Sequence, residues 1–273
     1  MSKTARIVVK ILLLIIILFL IVLALGKSQT VVNLQEYQDL IEELQKAEFS
    51  IEEIDKLLLD ARVKFYPDIL KKFKKTKVPN YLSSKSRLLK KHFLKEGRDF
   101  IKRNQKILQE VEDKYRIEKE ILTAILKIES DLGRVNGKYQ VFGVYNSIIY
   151  YSKDDVVLKR WAVRELVSFL ILCKRNRFDP FEIKGSWAGA IGIAQFLPSS
   201  CLKYGIDADK DGMVNLFSLK DSLYSIAHYL VKHGWFIDKK KALYAYNHSK
   251  NYVEGVLAYA FRLNPEKFKA KTR

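Results

Sequence analysis

Residues 118–134 read EKEILTAILKIESDLGR, and no other stretch limits the fold as much. A helix over 119–133, turned by about 100° per residue, gathers Ile121, Leu122, Ile125, Leu126, Ile128 and Leu132 on one arc. Lys119, Thr123, Lys127, Ser130 and Asp131 fall on the opposite side, which predicts a polar face. Glu129 is the exception: it lies inside the apolar arc, flanked by Ile125 and Leu122. An ionised carboxylate there loses its hydration, so it either finds a partner or shifts its pKa upward. Two readings fit, a buried acid paired with an arginine or a backbone amide, and a general acid that keeps its proton near neutral pH. Gly133, Gly137 and Gly143 favour the second, because glycines beside a buried acid let a chain or substrate approach closely. Asp131 projects roughly 200° away around the same helix and cannot flank a bond together with Glu129. A two-carboxylate glycosidase would take its partner from elsewhere, so a single-acid mechanism enters consideration.

The rest of the chain is also helical in pattern. Leu34, Tyr37, Leu40, Ile41 and Leu44 recur at three- and four-residue spacings. Asn33 and Ser50 read as N-caps, the second with Glu53 in a capping box. Residues 61–110 hold a large share of the lysines, among them Lys71, Lys72, Lys74, Lys75, Lys90 and Lys91, which fits either a solvated helical face or a surface for anionic wall or lipid groups. Pro79 and Asn80 mark a break, and one or two helices follow over 83–115. A Gly- and Tyr-rich connection is expected over 133–151, then helices over about 154–176 and 222–233 and a final pair split at Asn247. Long β-type alternation is missing, so the fold class is mainly α. The expected organisation is a signal segment (1–30), a basic helical region (31–115), a core (116–263) and a basic tail (264–273).

A net charge of +18 over 273 residues calls for an anionic partner, and the N-terminus selects among the candidates. Lys3, Arg6 and Lys10 precede an apolar run of 15 residues, Ile11 to Leu25. That is an export signal, read as an uncleaved anchor over residues 7–25 with the positive residues inside; a signal peptide ending at Ala24-Leu25-Gly26 is the alternative. Export excludes nucleic acid as the target. Cys173 and Cys201 make no disulfide framework and read as small buried residues, with a single bridge as the alternative.

Residues 185–212, GSWAGAIGIAQFLPSSCLKYGIDADKDG, join a run of small residues to an alternating-aspartate loop. Asp207, Asp209, Asp211 and Gly212 follow the first half of an EF-hand loop, but Ser218 stands where the bidentate Glu belongs. A cation site and a solvated acidic turn both fit.

Taken in order, "IES" with "DLGRVNGKY", "GSWAGAIGIAQFLPSS", the DxDxDG loop, "YLVKHGW" and "AYNHSKNYVEGVLAYA" resemble the membrane-bound lytic murein transglycosylase B family, from about Leu40 to Leu263. The resemblance implies a lysozyme-like helical core, with an N-terminal helical region and a small calcium loop, that cleaves the MurNAc–GlcNAc β-1,4 bond of peptidoglycan without adding water. Glu129 matches the family's single catalytic acid. Ser186 and Gln195 match positions lining the cleft, Asn247 matches an asparagine near the acid, and Tyr229, Tyr246 and Tyr252 would face sugars. The family's aspartate loop is longer, closing at position 15, so Asp207, Asp209, Asp211, Asp221 and the Met213 carbonyl would cage one structural Ca²⁺ over 207–221. The implied location is the periplasm, and the implied partners are glycan strands, the inner membrane through the N-terminal segment, and other cell-wall enzymes. Ile193-Ala194 replaces the family's usual Gln-Pro, and Cys201 stands where an aromatic is common, which puts subsite details in doubt. A hydrolytic muramidase and a non-catalytic wall-binding scaffold are the rival readings.

Overall fold

The computed structural model describes residues 34–75, 79–83 and 86–269. The signal segment over 1–30, the Asn33 cap and the last residues of the basic tail lie outside the described residues. Among the described residues no helix is long and apolar enough to cross a membrane. The chain divides into two units, residues 1–38 and 39–273. In the first, Leu34–Tyr37 form a short 3-10 turn.

The second unit is helical almost throughout. Helices α1 (Gln38–Lys46, which begins in the first unit), α2 (Ile51–Leu58) and α3 (Ile69–Lys75) come first, and α4 (Lys91–Arg103), α5 (Gln105–Tyr115) and α6 (Lys119–Ser130) follow. A two-residue strand β1 (Tyr139–Gln140) leads into α7 (Val141–Tyr151) and α8 (Val156–Asn176), and β2 (Lys184–Gly185) pairs antiparallel with β1. The chain ends with α9 (Pro198–Tyr204), α10 (Leu219–Lys232), α11 (Lys239–Tyr246), α12 (Lys250–Leu263) and α13 (Pro265–Lys269). The expected capping box opens α2: the Glu53 amide donates to Ser50 Oγ at 3.1 Å and the Ser50 amide to Glu53 Oε2 at 2.7 Å.

Helix α6 is the axis of the core, with α12 along one side and α4, α5 and α10 against the others. Much of its expected polar face is therefore buried. Thr123 is fully buried and donates to the Lys119 carbonyl at 2.7 Å, and Lys127 is 7% exposed, with its ammonium between Glu96 and Asp131. Helical periodicity assigns polar residues to water, but neighbours on all sides leave only the choice of partners. The helix also stops at Ser130, short of the expected Gly133, because Asp131 and Leu132 turn left-handed (φ +52° and +62°).

The expected connection over 133–151 is half helix. Every residue from Val141 to Ile149 is buried, so α7 carries no polar stripe by which periodicity could reveal it. Cys173 and Cys201 are buried free thiols, each pushed upward in pKa by loss of solvent.

Candidate active site and aspartate loop

Glu129 sits in the last turn of α6, half-buried. Burial raises its carboxyl from the usual 4.5 to about 7, and the Tyr252 hydroxyl acts the other way. Burial and that hydroxyl are the two causes of the shift, burial the larger. Tyr252 is 0% exposed, and its hydroxyl makes no hydrogen bond of direct geometry. It lies near enough to Glu129 that each perturbs the other's proton affinity.

Tyr246 stacks on Tyr252 with ring centroids 6.2 Å apart and planes 4° from parallel. Its hydroxyl donates to the Ala194 carbonyl at 2.6 Å, which ties the small-residue loop to α11 beside the acid. Tyr229 meets Tyr246 edge-on at 5.1 Å and donates to the Ala245 carbonyl at 2.7 Å. Tyr229 and Tyr252, 8% and 0% exposed, are packed in against Tyr246. Asn247 caps the end of α11 directly after Tyr246 and is half-buried.

The loop over 185–196 folds into consecutive tight turns. The Ser186 amide donates to the Ala190 carbonyl at 2.9 Å and the Ile191 amide to the Phe196 carbonyl at 2.8 Å. Ser186 Oγ accepts from the amides of Ala188 (3.2 Å) and Ala190 (3.1 Å), so its hydroxyl oxygen organises its own turn. A Cβ at Gly189 (φ +81°) would lie 2.3 Å from the Tyr145 ring, and one at Gly192 (φ +71°) 2.2 Å from the Leu216 carbonyl oxygen. That packing is why the run must be small. Gln195 holds a left-handed backbone (φ +50°), uncommon for a residue with a side chain, and donates to the Gly192 carbonyl at 2.8 Å. The loop's Ile193 side chain packs against Gly133 just after α6. A Cβ at Gly133 would meet that side chain only at an ordinary 3.5 Å, so it is the left-handed backbone (φ +86°) that calls for glycine there.

One residue beside the acid escaped sequence reasoning. Tyr81, in the turn after Pro79, packs its Cβ on Gly255 of α12. Burial, with a smaller push from the Glu129 charge, raises its hydroxyl pKa to about 12. The Pro79-Asn80 break gave a turn but no destination for it.

In the aspartate loop, carboxylate oxygens of Asp207, Asp209 and Asp221 converge within 4.8 Å of one another. Asp207 accepts from the amides of Lys210 (2.7 Å) and Gly212 (2.9 Å), and Asp221 from those of Ala208 (2.9 Å) and Asn215 (2.8 Å). Burial, and secondarily the charges of Asp209 and Asp207, raises the pKa of the Asp221 carboxyl. Asp211 stands outside this convergence and accepts from the Met213 amide at 2.8 Å, so three of the five expected ligands are gathered. Three hard oxygen donors at this spacing fit a calcium-sized cation.

A family model described as Transglycosylase SLT domain matches residues 33–241. The membrane-bound lytic murein transglycosylase B of Escherichia coli (strain K12) is 34% identical over 121 residues, which is 44% of this chain and 33% of that protein. The match thus spans about a third of that relative's length. The fold is similar to that of the soluble lytic transglycosylase SltB1 from Pseudomonas aeruginosa, with a TM-score of 0.76 at 22% identity over 86% of this chain and 99% of that one. It is similar also to Escherichia coli lytic transglycosylase Slt35 in complex with calcium, with a TM-score of 0.75 at 20% identity over 85% of this chain and 94% of that one. With the family model covering most of the sequence, the chain belongs to the transglycosylase SLT domain family.

Proposed function

We propose that this chain is a lytic transglycosylase that cleaves the MurNAc–GlcNAc β-1,4 bond of peptidoglycan without water, leaving a 1,6-anhydro-MurNAc end. The observation that carries the reading is the isolation of Glu129. Its proton affinity is set by burial and a tyrosine, with no second carboxylate contributing, as suits one group that gives and then recovers a proton. Protonated Glu129 donates to the glycosidic oxygen as the C1–O bond breaks. The resulting carboxylate takes the proton of the muramoyl C6 hydroxyl while that oxygen bonds to C1. The donated proton leaves on the GlcNAc alcohol, and the acid is restored. The substrate's own hydroxyl is the nucleophile, so no enzyme nucleophile is required.

Gln195, held in a left-handed turn, and Asn247, beside Tyr246, are the polar groups assigned to the glycan, with Ser186 shaping the loop that presents Gln195. Tyr246 supplies the sugar-facing ring. Asp207, Asp209 and Asp221 would hold a structural Ca²⁺, completed by Asp211 and the Met213 carbonyl; the ion would fasten the loop to the start of α10 by neutralising clustered carboxylates. The expected location is the periplasm, at the inner membrane through residues 7–25.

Digestion of purified peptidoglycan by the full chain and by Glu129→Gln, read by product mass, tests the reaction. Anhydro ends from the native chain and none from the variant are expected. Products carrying added water would establish the hydrolytic alternative, and equal turnover by both proteins would remove Glu129 from the chemistry.

A further inference from the structure

The turn between α10 and α11, residues 233–238, presents its apolar side chains outward. Ile237 is 93% exposed, the most exposed large apolar residue among the described residues, and its neighbour Phe236 is 63% exposed. Looseness does not explain this. Gly234 turns left-handed (φ +83°), its carbonyl accepts from the amides of Ile237 and Asp238 at 2.9 Å each, and the Trp235 amide donates to Leu230 at 3.1 Å. Trp235 itself is 1% exposed, and the Lys239 ammonium lies over its ring at 5.0 Å while bonded to Glu118 at 2.6 Å. A turn bolted down on both sides is holding two large apolar side chains in water.

The charges close to the pair in sequence are mostly basic. Lys232, Lys240 and Lys241 are exposed, and Arg116 is exposed two residues from the Glu118 that fastens Lys239. Asp238 is the only acidic residue between positions 230 and 253, and its carboxylate accepts from the Lys241 amide at 3.0 Å. Ile237, the more exposed of the two, has no flat ring to stack on a sugar, and an exposed apolar pair flanked in sequence by exposed lysines matches the boundary between anionic headgroups and acyl chains. The N-terminal apolar run, if it anchors the chain as proposed above, is separated from the described residues by only residues 26–33, which span at most about 28 Å when extended. We infer that Phe236 and Ile237 insert into an anionic lipid surface, with Lys232, Lys240 and Lys241 pairing with its headgroups, so that the turn is a second membrane contact. The inference rests on the membrane-anchored reading.

The test uses the full chain carrying Ile237→Cys, labelled with a polarity-sensitive dye and reconstituted into vesicles of phosphatidylcholine alone or with phosphatidylglycerol. Cys173 and Cys201 are buried, so the unsubstituted chain serves as the labelling blank; Val157→Cys, at a site 81% exposed, is the control position. Expected are a blue shift and protection from iodide quenching for the label at 237 on phosphatidylglycerol vesicles, weaker on phosphatidylcholine, reduced by salt, and absent at 157. Flotation of the same samples reports the anchor separately. Flotation with a water-exposed label at 237 overturns this inference and leaves the anchor standing; failure to float overturns both. Equal protection on both lipids removes the headgroup pairing, and protection without vesicles assigns the turn to a second copy of the chain.

Discussion

Glu96 and Glu129 stand on opposite flanks of the last turns of α6 and have been driven in opposite directions. Glu96, reaching in from α4, bonds to Lys127 and to Arg134 (2.7 Å), and these cations hold its carboxyl at about 2. Glu129 has aromatic neighbours and, among the described residues, no cation that lowers it, and burial pushes it to about 7. The same side chain is thus a charged anchor on one flank and, on the proposed mechanism, a proton donor on the other. The difference lies in what neighbouring helices supply, because a carboxylate rich in donors stays charged and one left among rings keeps its proton.

The comparison breaks most sharply at the acid itself. Glu129→Gln keeps the shape and removes the proton, and a general acid is worth about 10² to 10⁴ in rate. A loss of that order in anhydro-product formation, with an unchanged circular dichroism spectrum, is the expected result. On the other flank, Glu96→Gln should leave the reaction type unchanged and cost stability. Lys127 has a side chain 4% exposed, and losing Glu96 leaves its buried ammonium with Asp131 alone. Breaking a buried pair in this way costs about 3 kcal/mol, which urea unfolding would register; an unchanged midpoint would mean the network is ornamental.

Next in size is the aspartate loop, where clustered carboxylates have no arginine of the kind that holds Glu96, although Asp221 is buried. If a cation supplies the missing charge, Ca²⁺ at about a hundred times its Kd raises stability by about 2.7 kcal/mol, and chelation reverses it. Asp221→Asn should abolish that rise. A melting temperature indifferent to both Ca²⁺ and chelator would return the loop to a solvated acidic turn.

How much of this was legible in the sequence follows from the same contrast. The unusual place of Glu129 could be read from its arc, since an acid among Leu122 and Ile125 breaks a local pattern. The Glu96–Lys127 pair could not, because 31 residues separate its partners and each looks like an ordinary surface charge. Helix α7 was missed for want of a polar stripe, and Tyr81 because its neighbour Gly255 lies 174 positions away. Ser50, whose partner is three residues off, was read correctly down to its hydrogen bonds. Local patterns carry elements and anomalies; partners across the fold leave no mark in a single sequence.

The finest test of the contrast is Tyr252→Phe. The tyrosine hydroxyl is the one group that pulls the Glu129 pKa back toward ordinary values, so its removal should raise that pKa further. On the proposed mechanism activity requires the protonated acid, so the alkaline limb of the rate profile, expected near pH 7 in the native chain, should move to higher pH in the variant. Stability follows the same sign. A carboxyl whose folded pKa lies above its unfolded value of 4.5 stabilises the fold fully below 4.5 and loses that contribution as pH rises through about 7. In Tyr252→Phe the loss should still begin above 4.5 but extend to higher pH, and in Glu129→Gln it should vanish, so melting temperatures measured between pH 5 and 9 separate the three proteins. An alkaline limb that stays in place in Tyr252→Phe would show that the hydroxyl exerts no hold on the acid, and that burial alone sets Glu129 apart from Glu96.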